Sequence, residues 1–144
     1  ALVSLSNLSD ATDTYTFGVG IDDVPGTIIN SPAGSTNSNS VQLMYTHGTN
    51  SGKFYGQNED NVGTSSTVDL GITVAANTVY KLRVEIDKLK SESRFYINGE
   101  MKGVLSTNMP NAVTCSPRTW IVKNAGTSAR TLQLHSLWAA AIYP

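Results

Sequence analysis

The segment Tyr80–Asp87, with the sequence YKLRVEID, alternates apolar and charged residues over eight consecutive positions. A helix would also place apolar residues on one side, because four of them follow at spacings of 3, 4 and 3: Val79, Leu82, Ile86 and Leu89. Strict alternation and the β-branched and aromatic content favour a strand over that helix. The segment therefore predicts a half-buried strand whose apolar side chains face a core and whose charged side chains face solvent.

A second strand and a tight turn follow in residues 94–99, RFYING. Asn98 and Gly99 favour a two-residue type I′ turn, because both central positions of that turn need a positive φ. Phe95 and Ile97 are then expected in the core, which places Tyr96 on the opposite face, beside Arg83 or Glu85. The two segments predict an antiparallel hairpin continued by a third strand over residues 100–104.

The remainder of the chain shows the same pattern of short strands separated by turns. Strands are predicted over residues 14–21, 41–46, 53–56, 68–74, 119–123 and 130–135. Residues 30–40 contain no large apolar side chain and predict an exposed loop. No segment requires a helix, so the sequence predicts an all-β antiparallel sandwich or barrel in one domain, residues 1–144.

Composition excludes several classes of function. The chain carries a formal net charge of −1, and charged residues make up 15% of it. Ser, Thr, Asn and Gly together account for 56 of the 144 residues. With no basic excess and no long apolar stretch, we expect neither nucleic acid nor membrane insertion. One cysteine and two distant histidines predict no disulfide, metal site or cofactor.

A family resemblance rests on three segments. Residues 80–87 and 94–100 resemble the strand and hairpin of the concanavalin A-like (laminin-G-like) jelly roll, and residues 5–18 and 121–132 resemble segments of bacteriophage structural proteins with that fold. The resemblance implies an antiparallel jelly-roll β-sandwich of the kind found in tail fibres, tail spikes and capsid decorations. It also implies location in a virion and a role in binding host-surface glycan or stabilising the particle.

The chain begins at what would be an early strand of such a sandwich, without the strand that often precedes it. Either the chain is a fragment of a longer virion protein, or a neighbouring chain supplies the missing edge. We therefore expect other virion chains as partners and a homo-oligomer, with a trimer favoured.

The charged face of the first segment carries part of a catalytic pattern. Some glucanases of this fold carry Glu-Ile-Asp-x-x-Glu, and residues 85–87 begin that pattern, but no acid follows at the required position. Retaining chemistry needs two carboxyl groups about 5 Å apart. An ion pair between Arg94 and an acid of the facing strand explains the charges better, so we expect a protein that is not an enzyme. Asp22 and Asp23 likewise predict a turn rather than a calcium site.

Four residues are the candidates for ligand binding: Tyr96, Arg83, Tyr45 and Tyr55. Sugar sites combine aromatic surfaces with polar groups, and Tyr96 is the strongest candidate because it is predicted to face outward. Trp120 and Trp138 are expected in the core or an interface. The leading hypothesis is a virion adhesion or structural domain. The alternative is a carbohydrate-binding module of a secreted, extracellular bacterial protein, and a glycoside hydrolase or lyase fragment comes third.

Overall fold

The chain folds into two antiparallel β-sheets, as a computed structural model shows for residues 1–23, 39–60, 64–110 and 114–140. The described part contains ten strands: β1 Leu2–Leu5, β2 Tyr15–Asp22, β3 Ser40–Thr46, β4 Lys53–Glu59, β5 Ser65–Thr73, β6 Tyr80–Asp87, β7 Glu92–Ile97, β8 Glu100–Leu105, β9 Ser116–Lys123 and β10 Leu132–Ser136. A single 3₁₀ turn, Asn50–Gly52, is the helical element of that part.

Within the described residues, each sheet has five strands. The order is β10-β1-β6-β7-β8 in the first sheet and β5-β4-β3-β2-β9 in the second. Strands from the start of the chain pair with strands from its end, since β1 pairs with β10 and β2 with β9. The predicted fold class, an all-β antiparallel jelly-roll sandwich, is confirmed.

The β6–β7 hairpin has the facing that alternation predicts. Val84 lies opposite Phe95, and Arg83 lies opposite Tyr96. Asn98 and Gly99 have φ values of 54° and 90°, as the type I′ turn between β7 and β8 requires. The core lies between the sheets and includes Phe95, whose ring lies against Gly56 of β4 in the opposite sheet.

One feature differs from the expectation. β1, over Leu2–Leu5, lies inside the first sheet between β10 and β6, although the sequence pattern predicts no strand there. Its four residues, LVSL, are too few for alternation to identify, and its pairing with distant strands stabilises it. Most of the predicted loop over residues 30–40 lies outside the described residues.

Candidate functional site

An aromatic and charged cluster lies on the outward face of the first sheet, where β6 and β7 pair. The Arg83 guanidinium lies over the Tyr96 ring, with Cζ 3.7 Å from the ring centroid. Glu85 connects the two, because its Oε1 is 2.8 Å from Arg83 Nη1 and its Oε2 accepts a 2.7 Å hydrogen bond from the Tyr96 hydroxyl. That hydrogen bond, helped by partial burial, raises the pKa of Tyr96. The cluster therefore holds the guanidinium in a fixed orientation on the surface.

This cluster forms one wall of an open pocket of about 270 Å³. The lining consists of Lys81, Arg83, Tyr96, Gly99 and Trp138. Trp138 is 68% exposed and follows β10, which places an apolar ring near the charged face of β6. The pocket thus combines an accessible aromatic side chain with two cations.

The β7–β8 turn is tied to the strand that carries the pocket lysine. The Asn98 backbone N–H donates to the Lys81 carbonyl at 2.8 Å, and Asn98 Oδ1 accepts from the Lys81 backbone N–H at 3.0 Å. Because the type I′ turn needs Gly99 at its second central position, the pocket wall at that residue has no side chain. The turn therefore limits the movement of the Lys81 backbone and leaves space above it.

Arg94 forms ion pairs near the other end of the hairpin. It lies opposite Glu85 in the register. Its guanidinium nevertheless binds Asp87, at 2.8 Å, and Glu92. The expected ion pair between Arg94 and an acid of β6 is present, with Asp87 as its partner.

Two of the four candidates lie elsewhere. Tyr45 is 2% exposed and packs edge-on against Tyr15 and Phe54 in the core, which removes it from a ligand site. Tyr55 is on the outward face of the second sheet but is only 5% exposed, and burial raises its pKa to about 12. The structure therefore brings together Tyr96 and Arg83 and leaves both other tyrosines buried.

Besides Gly99, two residues that line the pocket were not among the sequence candidates. Lys81 shares the outward face of β6 with Arg83, so the alternation that selected Arg83 could also have selected Lys81. Trp138 was expected in the core or an interface, and its exposure shows that the core alternative is wrong. No local signal identifies Trp138, because it lies outside any strand and its position depends on where β10 pairs.

The outward face of the second sheet carries a buried row of polar residues. Ser40 lies between Asp22 and Glu59 in the register of three neighbouring strands. All three are almost completely buried, and Arg118 forms a 3.1 Å ion pair with Asp22. This row is polar in character, but its carboxylates are not accessible from solvent.

The described residues contain neither a group of three or more His, Cys, Asp or Glu side chains placed to hold a metal ion nor a helix long and apolar enough to cross a membrane. Asp23, one of the two acids considered for calcium, accepts hydrogen bonds from the backbone and side-chain amides of Asn39, at 2.9 and 2.8 Å. Asp22 binds Arg118 instead. These acids have structural partners within the sheet and the adjoining turn.

No protein-family model and no curated protein matches the chain. Among solved structures, the chain is similar to a β-glucanase of Bacillus licheniformis, with 17% sequence identity and a TM-score of 0.46. The likeness covers 85% of this chain and 51% of the other, so the chain spans about half the length of that protein. Because the matched protein is an enzyme, the match contradicts the prediction that this chain is not an enzyme, and that exclusion is withdrawn. A likeness of this degree assigns neither activity nor substrate to the chain.

Proposed function

We propose that the chain is an adhesion domain of a bacteriophage-type virion protein, a tail fibre, tail spike or capsid decoration, and that it binds host-surface glycan. The observation that carries the proposal is the open pocket in which Trp138 and Tyr96 stand beside Lys81 and Arg83. Sugars present apolar C–H faces and hydroxyl groups together, so their sites combine aromatic rings with a few fixed polar groups.

Each part of the pocket has a role in this proposal. Trp138 offers an exposed ring surface to the apolar face of a sugar. Arg83, held by Tyr96 and Glu85, presents its remaining N–H groups to hydroxyl or acidic oxygens. Because these contacts already exist in the free protein, binding loses less side-chain entropy than it would with a mobile arginine.

Composition and the family resemblance support the virion part of the proposal. The chain is poor in charge and rich in Ser, Thr, Asn and Gly, which suits a β-rich surface in contact with other chains. β10 is an edge strand, and its sequence LQLHS contains neither the lysine nor the proline that often protects such edges. We propose that the chain associates with other virion chains and with copies of itself, with a trimer as the favoured state.

Glycan binding can be tested with an array of bacterial surface glycans. We expect the parent protein to bind, and Trp138→Ala or Tyr96→Ala to weaken binding about tenfold through loss of an aromatic contact. Leu89→Ala is the matched control, because Leu89 is 85% exposed and lies in the β6–β7 turn, outside the pocket. Absence of binding by the parent, or equal loss in the control, would contradict the proposal.

The oligomeric state of the protein in solution distinguishes the two hypotheses, a virion domain and a carbohydrate-binding module of a secreted protein. Sedimentation of a stable trimer would support the virion assembly. A monomer of 15.4 kDa that retains glycan binding would favour the secreted module.

A further inference from the structure

The pocket has an unbalanced charge. Of its five lining residues, two are cations, Lys81 and Arg83, and none is an acid. The whole chain has a formal net charge of −1, so this excess of positive charge is local. A ligand that supplied a negative charge would balance it at the point where the aromatic ring is also exposed.

Glu85 is the acid that contacts Arg83 and Tyr96 of the pocket, and each of its two carboxylate oxygens already has a partner. Oε1 pairs with Arg83, and Oε2 accepts the hydrogen bond from Tyr96. Lys81 forms no ion pair with any residue in the part of the chain that the structure describes. Of the two pocket cations, the Lys81 ammonium group is therefore the one without an acidic partner among the described residues.

The spacing of the two cations fits one acidic group. Lys81 and Arg83 are two residues apart on the same face of β6, which separates their Cα atoms by roughly 6.6 Å. Long side chains from such positions can reach a common carboxylate. Arg83 is stacked on Tyr96 and uses one edge for Glu85, so it keeps other N–H donors in a planar arrangement that suits carboxylate oxygens.

We infer that the glycan recognised by this pocket is acidic: a sugar carboxylate binds Lys81 and Arg83 while the sugar ring lies against Trp138. This inference rests on the proposed glycan-binding function and specifies its substrate class as saccharides that contain uronic or sialic acid. Neutral sugars have no group that balances the Lys81 charge, so they bind more weakly.

The test compares acidic saccharides with neutral counterparts. The probes are 3′-sialyllactose and tri-galacturonic acid, each compared with its own carboxyl-reduced trisaccharide and titrated by calorimetry. We expect at least one acidic member to bind roughly tenfold more tightly than its neutral counterpart, because charge-assisted hydrogen bonds are lost in the latter. Raising the salt concentration should reduce this preference, since ions screen exposed charges.

Two variants with the same change of charge locate the effect. Lys81→Gln should abolish the preference for the acidic member, whereas Lys88→Gln should preserve it. Lys88 is exposed and lies just beyond the opposite end of β6, about 23 Å from Lys81 at the usual rise per residue. Thermal melts of both variants establish that each remains folded.

The outcomes separate this inference from the function on which it rests. If neutral array glycans bind while neither acidic probe exceeds its counterpart, the acidic preference is wrong and glycan binding stands. The inference is also overturned if acidic probes are preferred but Lys81→Gln has no effect. If the parent binds no glycan on the array, the proposed function itself fails.

Discussion

The contact between Gly56 and Phe95 allows a sharp test of how closely the two sheets pack. A Cβ atom added at Gly56 would lie 2.7 Å from two ring atoms of Phe95 and 2.8 Å from a third. Carbon atoms in favourable contact are about 3.5–4.0 Å apart, so the added methyl group is roughly 1 Å too close. Phe95 is fully buried, so its ring cannot move into solvent.

We therefore expect Gly56→Ala to lower the free energy of unfolding by about 2 kcal/mol, within the usual range for an overpacked core. For a protein of this size the melting temperature should fall by roughly 4–8 °C. The sign of the change is informative. Gly56 does not have a positive φ, so without the clash alanine should stabilise the protein by about 0.4–1 kcal/mol through the unfolded state.

A double-mutant cycle in urea unfolding attributes the loss to this contact. Phe95→Leu alone should be destabilising because it leaves a cavity. In the double variant, the smaller leucine gives space to the alanine, so the combined loss should fall short of the sum by at least about 0.5 kcal/mol. A Gly56→Ala variant as stable as the parent, or strictly additive losses, would refute the packing argument.

The remaining predictions concern strand facing and alkaline stability. Val84→Asp should lower the melting temperature far more than Glu85→Gln, because it places a charge towards Phe95 in the core, whereas an exposed ion pair contributes about 0–1 kcal/mol; equal losses in thermal melts would show that the facing is wrong. The pKa of Tyr55 is about 12 in the folded protein and about 10 when unfolded. The folded protein therefore retains the Tyr55 proton more strongly than the unfolded chain does. The stabilisation that results is complete below pH 10 and is lost as the pH rises through 12. Urea unfolding across that pH interval should show a smaller loss of unfolding free energy in Tyr55→Phe than in the parent. An equal loss in both proteins would exclude Tyr55 as a source of the pH dependence.

The hairpin at the candidate site could be predicted because its information is local. Alternation in β6 and the Asn98–Gly99 turn determine which side chains face outward, and that facing is enough to place Arg83 near Tyr96. The same reasoning could have excluded Tyr45, since it shares a face of β3 with the apolar residues Val41 and Leu43, all three of which are buried in the core.

Other parts depend on contacts between distant residues, which a single sequence does not reveal. β1 is a strand because β6 and β10 pair with it, although its four residues carry little local signal. Tyr55 faces outward as alternation suggests, yet it is buried because the outward face of the second sheet is largely closed to solvent. Trp138 lies outside any strand, so its place beside Lys81 follows from the pairing of β10.

The contrast between the two outward faces decides where a ligand can bind. On the second sheet, Gln42, Glu59 and other polar side chains are almost completely buried, so a ligand could reach them only after rearrangement of the protein. On the first sheet, by contrast, Arg83 and Trp138 are exposed, and the guanidinium is already held in place by Tyr96. Binding there replaces only surface water and requires little ordering of side chains. The exposed face therefore offers ligand binding at a lower cost in free energy, which is the physical reason for placing the proposed glycan site on β6 and β7.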